Sequence, residues 1–241
     1  MDIRIFSNEN EIGVTASEIV INCISSKEHP VLGLATGASP VNTYKHLIEA
    51  YRSGRISFKN VTTFNLDEYC GIPRNDKNSY YTFMHENLFN MIDIKEENVH
   101  IPDGNPSDPA YFTDGTYDRM IDNAGGIDLQ ILGIGRNGHI GFNEPGEFKT
   151  GTFKVTLSQS TIEANKIYFE NEQSMPKEAV TMGVGSILKA REIILIAEGS
   201  AKANAVRAMI KDDMSTLCPA SLLQKHSNVH ILLDREASAL L

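Results

Sequence analysis

Short apolar runs typical of buried strands alternate along this chain with segments of helical periodicity. The apolar runs occupy residues 31–35, 61–66, 127–132, 193–197 and 229–233, and the helical patterns fall at 12–24, 40–51, 79–90, 109–124 and 202–210. Such alternation is typical of βαβ units, in which helices cover a mainly parallel sheet. We therefore predict an α/β fold with a mainly parallel sheet flanked by helices.

Length and composition narrow the class of protein. The 241 residues contain no linker or repeat, which predicts one domain spanning 1–241. No apolar run approaches the about 18 residues of a membrane span, and the first residues lack the basic start of a signal peptide. Cys23, Cys70 and Cys218 are scattered and odd in number, so neither a disulfide framework nor a zinc site is expected. A reducing cytoplasm is the predicted location.

The formal net charge of −9 disfavours a general nucleic-acid binder. It leaves room for an anionic small molecule, provided that a helix N-terminus or a few placed cations hold it. A small-molecule substrate is therefore the expected partner, with neither nucleic acid nor membrane.

A glycine-rich stretch at 133–145 follows the apolar run at 127–132. It carries Asn137, His139 and Glu144 in a segment too interrupted by Gly and Pro to be helical. The carboxyl end of a strand is where open α/β sheets bind their ligands. Histidine is the side chain whose unperturbed pKa lies near neutrality, and Glu144 is close enough in sequence to orient the imidazole of His139. A purely structural histidine is the alternative interpretation.

The same stretch matches the G-x-G-x-x-G dinucleotide fingerprint at Gly133, Gly135 and Gly138. That fingerprint requires a helix to begin at once, and Pro145 stands where the helix would run. The acidic residue expected about 20 positions later is also absent, since Ser158 stands there. Nucleotide binding is therefore disfavoured.

Two further strand ends carry groups suited to an anion. After the run at 31–35, the turn Thr36, Gly37, Ala38 and Ser39 offers hydroxyl and backbone N–H groups that suit a phosphate. The alternative is an ordinary strand-to-helix turn with Ser39 as the N-cap. Lys202 begins a predicted helix, where a cation is unfavourable unless an anion binds nearby. A solvated lysine is the alternative there.

Adjacent carboxylates at Asp67 and Glu68 end the run at 61–66. In an extended chain they point in opposite directions, so one side chain can enter a cleft while the other caps a helix or forms an ion pair. A carboxylate in a cleft is able to remove a proton next to a carbonyl group. A solvated loop acid is the alternative.

Six motifs, taken together, closely resemble the glucosamine-6-phosphate deaminase (isomerase) family. They lie at residues 32–40, 64–69, 79–80, 133–146, 176–183 and 219–221. The resemblance implies a Rossmann-like three-layer α/β domain and the conversion of glucosamine 6-phosphate to fructose 6-phosphate and ammonia. That places the chain in amino-sugar and N-acetylglucosamine catabolism, as a hydrolase with isomerase chemistry and neither metal nor other cofactor.

The resemblance also implies roles for individual residues. Asp67 matches the base that moves a proton from C2 to C1 of the sugar through an enol or enolamine. His139 matches the group that assists ring opening, with Asn137 and Glu144 as its partners. The turn at 36–39 and Lys202 match phosphate-binding elements.

The sequence departs from the family pattern at several positions. Ile167 stands where many members carry a phosphate-binding arginine, so a deaminase of galactosamine 6-phosphate is an alternative. Gly151, Phe153 and Val155 replace basic residues of allosteric members, which predicts hyperbolic kinetics. Asn137 replaces an aspartate of longer members and cannot titrate, which predicts a simpler pH profile.

Two properties of the whole molecule are also expected. A monomer is favoured over a homohexamer, and residues 145–175 have the Gly and polar content of a mobile lid. A non-catalytic sugar-phosphate-sensing domain is the alternative from a different functional class; such a protein would tolerate the loss of Asp67.

Overall fold

The computed structural model describes residues 1–165, 169 and 175–241. Its strands, in chain order, are β1 (Asp2–Phe6), β2 (Val31–Leu34), β3 (Thr62–Asn65), β4 (Asp67–Tyr69), β5 (Val99–His100), β6 (Leu129–Gly133), β7 (Phe153–Thr156), β8 (Glu178–Thr181), β9 (Glu192–Ala197) and β10 (Val229–Asp234). Seven of them form one sheet in the order β1-β10-β9-β6-β2-β3-β5, and every pairing in it is parallel. The predicted mainly parallel sheet is confirmed.

Helices follow most of these strands. They are α1 (Glu9–Ser25), α2 (Val41–Arg52), α3 (Tyr80–Asn87), α4 (Thr116–Asn123), α5 (Gln159–Asn165), α6 (Val184–Ile187) and α7 (Ala203–Lys211). Every residue of β2, and every residue of β9 except the first, is buried, as expected where helices cover both faces of a parallel sheet. Within the described residues, no helix is both long and apolar enough to cross a bilayer.

A second, antiparallel sheet has the strand order β4-β8-β7. It begins where the chain leaves the main sheet at Leu66. The Leu66 N–H donates to Leu34 O of β2 (3.0 Å), and the Leu66 carbonyl accepts from Met182 N just after β8 (2.8 Å). Asp67 therefore lies at the junction of the two sheets, paired with Thr181. Strands of three and four residues are too short for a periodicity argument, and the sequence analysis did not predict this sheet.

The helix predicted over 109–124 is wrong. The chain forms a 3-10 turn at Pro109–Phe112 and begins α4 only at Thr116. Between them Gly115 has a φ of 72°, in the left-handed region that interrupts a helix. Likewise α3 ends at Asn87, because Leu88 leaves the helical region before a 3-10 turn at Phe89–Met91.

Asp128 fixes the amino ends of the central strands. Its carboxylate accepts a hydrogen bond from the N–H of Val31, the first residue of β2 (2.9 Å), and lies 3.0 Å from Arg191 Nη1 and 3.3 Å from Lys27 Nζ. Asp128 directly precedes β6, and Arg191 directly precedes β9. One buried carboxylate thus links the three strands whose opposite ends carry the predicted site.

We expect Asp128→Ala to destabilise the protein by about 2–4 kcal/mol, because it leaves the buried N–H of Val31 without its acceptor and Arg191 without its carboxylate partner. Urea unfolding followed by far-UV circular dichroism measures this, since the chain has no tryptophan. The matched control is Asp122→Ala, whose exposed carboxylate lies 3.8 Å from Lys189 and should contribute less than about 0.5 kcal/mol. Equal losses in the two variants would contradict this role.

Candidate active site

The strand order brings three separate chain segments to one edge of the sheet. β6 lies between β2 and β9, so the segments that follow all three strands converge at their carboxyl ends. From the segment after β9, Lys202 Nζ donates to Ile134 O just after β6 (2.6 Å). From the segment after β2, Ser39 Oγ lies 3.5 Å from where a Cβ on Gly133 would stand. The predicted phosphate elements and the glycine-rich loop are thus neighbours.

The turn at 36–39 remains open at the start of α2. The N-cap of α2 is Pro40, and no side chain caps it, so the alternative interpretation of Ser39 as N-cap is wrong. Gly37, with a φ of 87°, and Ala38 are exposed. The first N–H groups of α2 have no partner within the helix, which together with the Ser39 hydroxyl suits an anion.

Two cations lie just beyond the carboxyl end of β6. Lys202 caps the start of α7, and both its partial burial and the nearby charge of Arg136 lower its pKa. Within the part of the chain that the structure describes, neither Lys202 nor Arg136 forms an ion pair. The sequence analysis missed Arg136; the available signal was a cation inside a glycine-rich loop directly after a strand. In a chain of net charge −9, two unpaired cations at one place are what an anion site requires.

Asp67 is a buried carboxylate. Burial raises its pKa to about 8, and the neighbouring charge of Glu68 adds to the shift. Its Oδ2 lies 3.4 Å from where a Cβ on Gly141 would stand, so it faces the loop that carries His139. Among the described residues no hydrogen bond holds the Asp67 side chain, which leaves the group available to a ligand.

Glu68 points the other way, as the extended chain predicted. It accepts hydrogen bonds from the N–H groups of Tyr69 (2.8 Å), Tyr80 (2.8 Å) and Tyr81 (2.9 Å). Two of these donors belong to the first turn of α3, so Glu68 caps that helix. The three bonds favour the carboxylate form against the burial that raises the pKa of Glu68. A helix cap therefore supplies the negative charge that opposes ionisation of Asp67.

His139, Asn137 and Glu144 meet in one loop. Asn137 Nδ2 donates to Glu144 Oε2 (2.7 Å), the N–H of His139 donates to Asn137 Oδ1 (3.2 Å), and His139 Nδ1 lies 3.7 Å from Glu144 Oε2. The imidazole packs over Gly135, where a Cβ would stand only 2.2 Å from Cε1. A glycine at 135 is thus required for the imidazole ring to lie here. The structure brings Asn137, His139 and Glu144 together, as the sequence predicted.

Glu144 is held in its ionised form. Burial alone would raise its pKa, but the His139 imidazole, the Thr161 hydroxyl and the Asn137 amide outweigh that effect and bring the pKa to about 2. A permanent carboxylate beside an imidazole stabilises the imidazolium when the ring takes up a proton. Within the described ranges no three His, Cys, Asp or Glu side chains group as metal ligands.

Aromatic rings line the space between Asp67 and α3. Tyr80 and Phe142 lie parallel with ring centroids 6.0 Å apart, and Tyr69 contacts Tyr80 at 4.8 Å. Burial raises the pKa of the Tyr80 hydroxyl well above its ordinary value, and Tyr69 and Thr36 lie beside it. Tyr80 is close enough to Asp67 for the Asp67 charge to raise the pKa of its hydroxyl, so this ring lies in the buried surroundings of Asp67. The sequence analysis did not assign these rings a role, because aromatic residues at these positions are equally typical of a core.

The predictions drawn from Ile167 and from the region of Gly151 and Phe153 stay predictions. Ile167 lies outside the described residues, as do 166, 168 and 170–174. In the region compared with an effector site, Gly151 lies against Asp118 and Phe153 has Lys149 Nζ 5.9 Å from its ring.

The chain is similar to known proteins in both sequence and structure. Residues 10–232 match the family described as glucosamine-6-phosphate isomerases/6-phosphogluconolactonase. A glucosamine-6-phosphate deaminase of Thermoanaerobacter sp. (strain X514) is 50% identical over 242 residues, which cover 100% of this chain and 95% of that protein. A solved monomeric glucosamine-6-phosphate deaminase superposes with a TM-score of 0.96 at 44% identity and full coverage of both chains. A 6-phosphogluconolactonase from Trypanosoma brucei, with a TM-score of 0.79 at 20% identity over 100% of this chain and 98% of its own, shares the fold.

The raised pKa of Asp67 predicts a pH-dependent stability. Its folded pKa of about 8 lies above the value near 3.9 of an unfolded chain, so the folded protein binds more protons between these pH values and loses stability as the pH rises. Asp67→Asn should therefore be more stable than the wild type at pH 8 by on the order of 1–3 kcal/mol, and by much less at pH 5. Urea unfolding at both pH values tests this, with Asp122→Asn as the control; an equal gain at both would refute it.

Proposed function

This chain belongs to the family of glucosamine-6-phosphate isomerases and 6-phosphogluconolactonases, and we propose that it converts glucosamine 6-phosphate to fructose 6-phosphate and ammonia. Relatives about half identical along its whole length carry the deaminase name, whereas the lactonase likeness is at 20% identity. The resemblance inferred from the motifs is thereby confirmed. The net reaction consumes one water and releases one ammonia, so the term hydrolase describes the balance and not the proton-transfer chemistry.

One observation carries the assignment of the base: a buried carboxylate, Asp67, has a pKa of about 8 next to the loop of His139. A base works best when its pKa lies near the working pH. Asp67 takes the proton from C2 of the open-chain sugar and returns it to C1, which converts the C1 aldehyde to a hydroxymethyl group and leaves an imine at C2. Water adds to this imine and ammonia leaves, so that C2 becomes the carbonyl carbon of fructose 6-phosphate.

His139 opens the sugar ring before that step. Its imidazole takes the proton of the C1 hydroxyl group and returns a proton to the ring oxygen as the bond between C1 and that oxygen breaks, and Glu144 stabilises the imidazolium formed in between. Asn137 holds Glu144 through its amide at 2.7 Å and cannot compete for the proton, since an amide does not titrate. The simpler pH profile expected from Asn137 remains a prediction.

The phosphate binds to the turn at 36–39 and to the first N–H groups of α2. Lys202 and Arg136 supply the positive charge. Arg136 supplies a second positive charge near Lys202. This chain has isoleucine at position 167, where many members of the family carry a phosphate-binding arginine. A guanidinium suits phosphate because it donates two parallel hydrogen bonds. The names of the relatives favour glucosamine 6-phosphate over the galactosamine ester.

Properties of the whole molecule complete the proposal. A monomer is supported by the monomeric deaminase to which the chain superposes. Free thiols at the three cysteines agree with a cytoplasmic location. Mobility of 145–175 and hyperbolic kinetics remain predictions.

Asp67→Asn should abolish ammonia release from glucosamine 6-phosphate while substrate binding persists, because the amide has the same shape but accepts no proton. A loss of at least about 10²-fold in kcat is expected. Isothermal titration measures binding, and Asp122→Asn serves as the matched control with normal turnover. Galactosamine 6-phosphate is assayed in parallel. If the wild type binds the sugar phosphate without turning over either ester, the sensing domain is the better interpretation.

Arg136→Ala should raise KM for glucosamine 6-phosphate about 10- to 100-fold with a smaller change in kcat, because a charged hydrogen bond to the phosphate is lost. Initial-rate kinetics at fixed ionic strength measure both constants. Arg52→Ala removes the same charge at the far end of α2 and should leave KM unchanged. If the Arg136 and Arg52 variants have the same KM, Arg136 does not bind phosphate.

A further inference from the structure

Two hydroxyl groups from a distant segment hold the free side of the Glu144 carboxylate. Ser158 Oγ donates to Glu144 Oε1 at 2.8 Å, and Thr161 Oγ1 donates to the same oxygen. The other oxygen, Oε2, faces the catalytic loop, with Asn137 Nδ2 at 2.7 Å and His139 Nδ1 at 3.7 Å. The carboxylate is thus a bridge between His139 and the start of α5.

We propose that Ser158 and Thr161 are positioning residues: they hold the Glu144 carboxylate against His139, so that ring opening requires α5 to be docked. This inference rests on the proposed role of His139 and Glu144. The two hydroxyl groups do not contact the reacting atoms and act through Glu144.

The start of α5 makes this pair of hydroxyl groups a single unit. The N–H of Thr161 donates to Ser158 Oγ (3.2 Å), and the two hydroxyl oxygens are 3.1 Å apart. Ser158 therefore caps the first turn of α5 and contacts Glu144 with the same oxygen. If α5 moves, both hydroxyl groups leave the carboxylate together.

Packing connects α5 to the wall of the site. Ile162 packs against a small apolar cluster that includes Tyr69, Phe142 and Leu157. Tyr69 follows Asp67 by two residues, and Phe142 lies in the loop of His139. Docking of α5 is thus coupled to side chains from the strand of Asp67 and from the loop of His139.

The two hydroxyl groups stabilise the negative charge and the position of the Glu144 carboxylate. Glu144 is half-buried and has no cation other than His139 among the described residues that contact it. The groups that face it are Asn137 and His139 from its own loop and Ser158 and Thr161 from α5. Without the two hydroxyl donors, the carboxylate loses two of its three hydrogen bonds among the described residues and is free to rotate away from the imidazole. Ring opening then loses the charge that stabilises the imidazolium.

The test compares Thr161→Val, which keeps the shape but removes the hydroxyl, with Thr161→Ser, which keeps the hydroxyl. We expect Thr161→Val to lower kcat/KM for glucosamine 6-phosphate about tenfold or more, and Thr161→Ser to retain most of it. Affinity for 2-amino-2-deoxyglucitol 6-phosphate, a reduced open-chain analogue that needs no ring opening, should change by less than about twofold in both. Thr156→Val, on an exposed site of β7, is the matched control.

A readout independent of turnover accompanies the kinetics. Carbon-13 NMR of the Glu144 carboxyl group should show its pKa raised in Thr161→Val relative to Thr161→Ser, because a donor to the charged form is lost. Equal kcat/KM values for these two variants, or an equal loss of affinity for the open-chain analogue, would overturn the inference. If the wild type is inactive, the proposed function fails, and the NMR comparison alone then decides whether Thr161 holds Glu144.

Discussion

The backbone hydrogen bonds of Leu66 decide where Asp67, the proposed base, lies. Its N–H belongs to the main sheet and its carbonyl to the second sheet, so the next residue, Asp67, is buried where the two meet. Burial without a cation partner is what raises the pKa of Asp67 to about 8. Had the chain continued along the main sheet, the carboxylate would lie at an open edge with an ordinary acidity.

The site is built from charges that folding alone would not favour. Asp67 is buried beside the ionised Glu68, and Lys202 lies near Arg136 without a carboxylate of its own. Asp128, at the other end of the same strands, is instead fully paired. Unfavourable electrostatics is therefore concentrated at the carboxyl ends of β3, β6 and β9, where the proposed sugar phosphate would relieve it.

The surroundings of Asp67 and Glu144 shift the pKa values of these two carboxyl groups in opposite directions. Asp67 has aromatic neighbours and no hydrogen-bond donor among the described residues, so its proton is exchangeable near neutrality. Glu144 has four polar neighbours and remains ionised. Pairs of acids whose environments separate their pKa values are typical of acid–base catalysis. The separation depends on α5, which supplies two of the four groups around Glu144.

Local patterns in the sequence determined the parallel α/β architecture, the glycine-rich loop and the opposite directions of Asp67 and Glu68, because periodicity and chain extension act over a few residues. The motifs also identified the family. Tertiary structure alone decided that Arg136 lies near Lys202 and that Thr161 contacts Glu144. It also decided that Pro40, and not Ser39, occupies the N-cap position of α2. It also created the second sheet and divided the helix predicted over 109–124 at Gly115. The physical reason is that hydrogen bonding, desolvation and charge act between groups far apart in the chain, and no local pattern encodes which of them meet.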